Sequence, residues 1–305
     1  MKRDAHLDRE LADISLFMKA PEAAETSLLS SAAKWAGIAA GGLATGWVRN
    51  AYPLLALVPV PGQPTAKVLP HFDIRKLRDG GKHAVIVING FLSKGDLDTR
   101  DWEQAIGRKF GRATWYHLDW EAYRDPLKQL GDILTFQSWR KEPGKSEPPV
   151  ALAWHSTMSA AEEAGELLAR AILSTPGWRF TLIGHSLGAR VIHYALKALA
   201  KHPAKRVTNA YLLGGAVGGS AKDNACWEAA VSAVSGRIFN CYSSEDLTLQ
   251  GAYQTANAMY SRPAGYAGIH LEHPRIVDFN CSALVGGHMK WKSSFREILA
   301  QLEGY

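Results

Sequence analysis

Short apolar runs alternate with helix-like segments along most of this chain, and this alternation constrains the fold more than any other feature of the sequence. Six runs have the length and the β-branched, apolar character of buried strands. They are residues 83–88, 113–118, 179–183, 207–213, 236–242 and 275–280. Strands that are apolar on both faces need helices above and below them. The pattern therefore predicts an α/β fold with a mostly parallel, doubly wound sheet.

Two of the segments between these runs have an apolar helical face. The residues that recur at helical spacing after Ser186 are Val191, Ile192, Ala195, Leu196 and Leu199. Upstream, Ser159 and Glu162 have the spacing of a capping box, which predicts a helix that begins at Ser159.

The first 60 residues differ from the rest, and we predict a helical N-terminal segment over 1–60 followed by an α/β domain over 61–305. The uncharged stretch 35–48 has 14 residues, too few to cross a bilayer straight. Either it packs on the domain as an Ala/Gly-rich helix, or it makes peripheral contact with a membrane surface. The charged N-terminus lacks the apolar core of a secretory signal peptide.

Charge and cysteine content argue against several classes of protein. The net charge of +6 is spread along the chain without a basic run or a nucleic-acid motif, so no nucleic-acid partner is predicted. Cys226, Cys241 and Cys281 are scattered and lack metal-ligand spacing. They predict neither a disulfide framework nor a zinc site, and they favour a reducing, cytoplasmic compartment.

The segment from Gly184 to Gly188 reads Gly-His-Ser-Leu-Gly and lies between the third strand run and a helix. This strand-turn-helix context is typical of a nucleophile elbow, a sharp turn that presents a serine at the edge of the sheet. A side chain at either glycine would collide with the neighbouring strand or helix. Ser186 is therefore the candidate nucleophile, and its hydroxyl needs a base and an orienting acid to react at neutral pH.

Candidates for both roles follow later strands. Asp246 comes after the fifth strand run, and His288 lies in a glycine-rich loop after the sixth. Because the carboxyl ends of parallel strands meet at one edge of a sheet, we predict that both side chains reach Ser186. Glu245 is an alternative acid, and Asp278 is an alternative partner for His288.

An oxyanion formed at the substrate carbonyl needs two preorganised N–H donors. Leu187, directly after the nucleophile, is predicted to supply one backbone N–H. The turn 89–92 after the first strand run is predicted to supply the other from Phe91, with Leu92 as the alternative, because Gly90 permits a tight turn there.

Five segments carry a family resemblance: "INGFLSKGD", "WYHLDWE", "TLIGHSLGARVIHYALKALA", "VSGRIFNCYSSEDLTL" and "VDFNCSALVGGHMKW". Together they resemble an α/β-hydrolase-like family of unknown function that includes the transmembrane and coiled-coil domain protein four. The resemblance implies an α/β-hydrolase fold with Ser186, Asp246 and His288 as the triad. It also implies that the N-terminal helical region associates with membranes.

The combined prediction is a serine hydrolase that cleaves carboxylic esters through an acyl-enzyme, without a metal or organic cofactor. A lipid ester is favoured as substrate by the apolar N-terminal segment, the positive charge and Trp291 near the base. Two alternatives are a non-catalytic α/β-hydrolase scaffold that binds a protein partner or a membrane surface, and a membrane tether organised by the N-terminal helices.

Overall fold

The computed structural model describes residues 71–91, 93, 98–122, 149–256 and 262–304. The strands are β1 (Phe72–Arg78), β2 (Gly81–Ile88), β3 (Ala113–Trp120), β4 (Arg179–His185), β5 (Val207–Leu213), β6 (Ile238–Tyr242) and β7 (Ile276–Asn280). The α-helices are α1 (Arg100–Ile106), α2 (Pro149–Leu173), α3 (Leu187–Leu199), α4 (Asn224–Ser232), α5 (Leu247–Ala256), α6 (Ala264–Ala267) and α7 (Trp291–Gln301). Short 3-10 helices lie at Ala221–Asp223, His288–Lys290 and Leu302–Gly304. The predicted segment 1–60 lies outside the described residues.

The strands of the described residues form one seven-stranded sheet with the order β1-β3-β2-β4-β5-β6-β7. β1 runs antiparallel to β3, and every other neighbouring pair is parallel. Each of the six predicted runs overlaps a strand, and the fifth and sixth runs begin one or two residues before β6 and β7. The mostly parallel sheet, its order and the sharp turn between β4 and α3 are those of an α/β-hydrolase fold, which confirms the predicted fold class.

Strand β1 was not predicted from the sequence. Its residues, Phe-Asp-Ile-Arg-Lys-Leu-Arg, include four charged side chains, and only Ile74 is buried. Within the part of the chain that the structure describes, it pairs with β3 alone, at the edge of the sheet. A half-exposed edge strand has no continuous apolar run, so the pattern that identifies buried strands does not detect it.

Helices cover both faces of the sheet. On one face, α1 and α7 contact each other and share an apolar core with the strands. On the other face, α2 packs along α3, and α3 contacts α4. The strands β2 to β5 are buried between these layers, so burial of apolar surface fixes the positions of the loops at their carboxyl ends.

Helix α3 agrees with its predicted apolar face, whereas the predicted start of α2 is wrong. The five apolar residues of α3 named above are all buried. Helix α2 begins at Pro149, and Ser159 lies in its interior, so Ser159 and Glu162 are not a capping box. Proline is common at the first position of a helix because its missing N–H needs no partner there. None of the helices in the described ranges is long and apolar enough to cross a bilayer.

Candidate active site

Ser186 lies on the turn between β4 and α3 in a strained backbone conformation. Its φ is 56° and its ψ is −118°, and among the described residues it is the only non-glycine with a positive φ. The turn is clamped on both sides, since the N–H of Ser186 donates to the carbonyl of Leu213 and its carbonyl accepts the N–H of Ala216. Backbone strain of this kind persists only where the surrounding structure enforces it.

The two glycines of the motif leave space that the elbow requires. A Cβ at Gly184 would lie 2.6 Å from the carbonyl carbon of Gly188 at the start of α3. A Cβ at Gly188 would lie 2.4 Å from the carbonyl oxygen of Ile88 at the end of β2. These contacts agree with the sequence interpretation that any side chain at either position collides with the neighbouring helix or strand.

The structure brings the three predicted triad side chains into one hydrogen-bonded chain. The Ser186 hydroxyl lies 2.9 Å from His288 Nε2, and His288 Nδ1 lies 2.8 Å from Asp246 Oδ2. Since a carboxylate accepts, Nδ1 carries the proton and Nε2 is left to accept the proton of the serine hydroxyl. The Asp246 side chain is fully buried, and that of His288 is 15% exposed.

The alternative acids do not reach the imidazole. Glu245 is exposed, and its carboxylate accepts from the Ser244 hydroxyl. Asp278 accepts from the side chain of Asn240 and from the backbone N–H of Ile269. Of the candidate acids, Asp246 is the one hydrogen-bonded to His288.

The loops that carry acid and base are tied together. Ser243, at the end of β6, donates its hydroxyl proton to the carbonyl of Val285 at 2.7 Å. The N–H of Ser244 donates to the hydroxyl of Ser282 at 3.0 Å. The loop after β6 is thus held against the loop after β7, and the separation of carboxylate and imidazole is fixed by these contacts.

His185, the residue before Ser186, contacts His288, the candidate base. Its Nε2 donates to the backbone carbonyl of His288 at 3.1 Å, and the two rings lie 4.7 Å apart. Burial lowers the pKa of His185 well below its ordinary value, and the neighbouring side chains His288 and Lys292 lower this pKa further. His185 is therefore a neutral residue packed against the imidazole of His288.

The turn after β2 reaches the nucleophile. A Cβ at Gly90 would lie 2.7 Å from Ser186 Cβ and 3.3 Å from its Oγ, so the backbone there passes directly beside the hydroxyl. Phe91 follows in this turn, and Leu187 is the first residue of α3, where N–H groups lack helical acceptors. Leu92 lies outside the described residues. Both predicted oxyanion donors therefore belong to segments that meet at Ser186.

Asn89 anchors this turn, and sequence reasoning assigned it no role. Its side-chain oxygen accepts from Trp102 Nε1 at 2.7 Å, and its backbone carbonyl accepts from Trp120 Nε1 at 3.0 Å. Its side-chain nitrogen lies 3.3 Å from Nε2 of His117. All four residues are buried, so the end of β2 is held in a rigid polar network beneath the nucleophile.

Trp291 has a different position from the one the substrate prediction assumed. It is fully buried, so it offers no surface to a lipid. Its indole N–H instead donates to Asp246 Oδ2 at 2.8 Å. The sequence places Trp291 one helical turn after His288, but its contact with Asp246 joins two loops that are distant in sequence.

In the described parts of the chain, no group of three or more His, Cys, Asp or Glu side chains is arranged to hold a metal ion.

Residues 149–304 match the family described as "Protein of unknown function (DUF726)". The match covers more than half of the chain and includes Ser186, Asp246 and His288. The chain belongs to this family. The turn that contains Phe91 precedes the matched region.

Relatives of this chain include proteins named as membrane proteins and one named as a probable lipase. An uncharacterized membrane protein of Caenorhabditis elegans is 37% identical over 48% of this chain and 24% of its own length. The transmembrane and coiled-coil domain-containing protein STS1 of Oryza sativa subsp. japonica is 36% identical over 49% of this chain and 22% of its own length. The probable lipase MIL1 of Saccharomyces cerevisiae is 28% identical over 68% of this chain and 20% of its own length. The chain thus spans about a quarter or less of these relatives.

Among solved structures, the chain is similar to mouse alpha/beta hydrolase domain-containing protein 10. The two chains are 14% identical with a TM-score of 0.38, over 79% of this chain and 96% of that chain. This structural similarity is weak, and the fold assignment rests on the strand order and on the turn between β4 and α3.

Proposed function

We propose that the protein is a serine hydrolase that cleaves carboxylic esters. The observation that carries the proposal is the continuous chain of hydrogen bonds from the Ser186 hydroxyl through His288 to Asp246, at 2.9 and 2.8 Å. A strained serine that contacts the free nitrogen of an imidazole, itself oriented by a buried carboxylate, is the arrangement that activates a hydroxyl for attack.

In the proposed reaction, Ser186 Oγ bonds to the ester carbonyl carbon while His288 Nε2 takes the hydroxyl proton. The carbonyl oxygen becomes an oxyanion that accepts from the backbone N–H groups of Phe91 and Leu187. The bond to the alkoxy group then breaks, and His288 returns the proton to form the alcohol. A water molecule repeats the sequence on the acyl-enzyme, which releases the carboxylic acid and restores the serine. Asp246 holds the imidazole throughout and stays ionised.

Two exposed apolar side chains support a lipid ester as the substrate. Leu247 is 64% exposed and Met289 is 86% exposed, and they directly follow the acid and the base. The helix α5, which begins at Leu247, contacts the 3-10 helix that contains Met289. Lys290 beside Met289 is also exposed. Apolar side chains next to a cation, at the edge of a reactive centre, fit a surface of acyl chains with anionic head groups. The lipase name of the yeast relative points the same way.

Turnover of p-nitrophenyl butyrate tests the reaction class. We expect a burst of p-nitrophenol followed by steady turnover, and a loss of at least ~1000-fold in Ser186→Ala and in His288→Ala, because each removes part of one catalytic unit. A folded wild-type protein without any turnover, or with turnover that survives Ser186→Ala, would refute the proposal. The first of these outcomes would favour the non-catalytic scaffold.

The substrate class is tested separately with Met289→Glu. We expect this change to lower turnover of dispersed triacylglycerol or phospholipid by about 10-fold, since a charge at the lipid contact is costly, while turnover of p-nitrophenyl butyrate stays within twofold. Ala300→Glu, at an exposed position near the end of α7, serves as the charge control. Equal effects of Met289→Glu on the dispersed and the soluble ester would contradict a lipid contact at this position.

A further inference from the structure

Three hydrogen-bond donors hold the buried carboxylate of Asp246. His288 Nδ1 and Trp291 Nε1 both lie 2.8 Å from Oδ2, and the backbone N–H of Leu249 donates to Oδ1 at 3.0 Å. Asp246 is fully buried, so its orientation depends on these protein donors. The oxygen that faces the base is thus shared between the imidazole and the indole.

The chain leaves a specific space for this indole. Gly214, directly after β5, has a φ of 52°, and a Cβ there would lie 2.4 Å from Trp291 Nε1 and 2.7 Å from Cε2. Any other residue at this position would displace the edge of the ring that carries the N–H. The hydrogen bond between Trp291 and Asp246 therefore requires glycine at position 214, because any side chain there would occupy the space of the indole.

The local helix places base and indole side by side. His288 begins the 3-10 helix His288–Lys290, and Trp291 begins α7 directly after it. Side chains three residues apart lie on one face of such a turn, so both N–H groups point at the same carboxylate oxygen. A shift of the Trp291 indole is therefore transmitted to the His288 imidazole through Asp246 Oδ2, which accepts from both.

We propose that Trp291 is a positioning residue, whose indole N–H fixes Asp246 Oδ2 in the place where it aligns His288 with Ser186. The inference rests on the proposed serine hydrolase function. Without this N–H, the buried carboxylate loses one of two donors on Oδ2 and can turn towards other partners. The imidazole then spends less time in the orientation that accepts the serine proton. The expected loss is roughly 10-fold in the rate of serine modification.

The test measures the rate constant for labelling by a fluorophosphonate in Trp291→Phe, which removes the N–H and keeps an aromatic ring. Trp115→Phe is the matched control, because Trp115 belongs to the same core and donates its Nε1 proton to the carbonyl of Phe110 at 2.9 Å. Both changes are repeated in an Asp246→Ala background, and unfolding midpoints establish that each variant is folded.

We expect Trp291→Phe to slow labelling roughly 10-fold in the wild-type background and less than twofold when Asp246 is already alanine. Trp115→Phe should change the rate less than twofold in both. An unchanged rate in folded Trp291→Phe, or the same loss in both backgrounds, would overturn the positioning role and leave the serine hydrolase proposal standing. If Trp291→Phe does not fold, Gly214→Ala, which displaces the indole, is judged by the same criteria.

Failure of the underlying function gives a different result. In that case the folded wild-type protein is not labelled at all, or Ser186→Ala is labelled at the wild-type rate. Either outcome would overturn the proposed function, and the positioning role with it.

Discussion

Replacing Ser186 by glycine is expected to stabilise the fold relative to replacing it by alanine. Both changes remove the hydroxyl and its bond to His288, so the comparison isolates the backbone. At a φ of 56° and a ψ of −118°, a residue with a Cβ is strained by about 1–3 kcal/mol. Glycine relieves this strain but loses about 0.5–1 kcal/mol through the greater freedom of its unfolded chain. The balance favours Ser186→Gly by about 1 kcal/mol.

Urea and thermal unfolding measure this difference. For a unit of the size of His71–Tyr305, 1 kcal/mol corresponds to roughly 2–4 °C in the unfolding temperature. The control pair is Ser293→Gly and Ser293→Ala, because Ser293 is an exposed residue in α7. There we expect the opposite order, with glycine less stable than alanine by about 0.5–1 kcal/mol.

A Ser186→Gly variant that is less stable than Ser186→Ala, as at the helical control position, would contradict a strained elbow. Such a result would mean that the turn is not strained, and that the flanking glycines serve only to make room for neighbouring backbone.

Three further changes probe a buried histidine of α3 and the turn beside Ser186. Burial lowers the pKa of His193 to about 3 from an ordinary 6.5, so the unfolded chain takes up a proton first as the pH falls and the fold loses stability. The free energy of unfolding should therefore fall between pH 7 and pH 5 by about 2 kcal/mol less in His193→Phe than in the wild type. An equal fall in both proteins, measured by urea unfolding, would contradict this. Asn89→Ala leaves the buried N–H of Trp102 unpaired and should cost about 1–3 kcal/mol in urea unfolding, whereas a cost near zero would mean that the network does not hold the turn. Gly90→Ala places a Cβ 2.7 Å from Ser186 Cβ, and it should slow fluorophosphonate labelling at least ~10-fold in a folded protein; a wild-type rate would show that the turn moves freely.

The sequence predicts the central part of the fold because its signals are strong there. The buried strands β2 to β6 are short and apolar, and the helix after Ser186 has a clear apolar face. The order of nucleophile, acid and base then follows from the topology, since each side chain comes from a loop at the carboxyl end of a strand. The strands and the helix can be predicted from local sequence pattern, and the order of the site residues follows once these elements are placed.

What the sequence did not predict depends on contacts between distant segments. The charged edge strand β1 is recognisable only once β3 is seen beside it. The link between Asn89 and Trp102 joins two loops, and the link between Trp291 and Asp246 spans two strand ends. The start of α2 was missed for a local reason, because a serine and a glutamate at capping-box spacing lie within a longer helix.

The side chains that favour a lipid ester differ between the sequence prediction and the structure. Trp291 is buried and cannot contact a lipid, but Leu247 and Met289 are exposed beside the acid and the base. The solvent exposure of a single side chain cannot be predicted from sequence, because it depends on which neighbouring residues cover it.

Mass spectrometry of the protein after reaction with a fluorophosphonate shows whether Ser186 is activated. We expect one added phosphonyl group per chain, located on the peptide that contains Ser186 and absent from His288→Ala and Asp246→Asn at matched reaction times. A folded protein that gains no adduct, or an adduct on another serine that persists in His288→Ala, would contradict the claim that Ser186 is activated by this hydrogen-bonded chain.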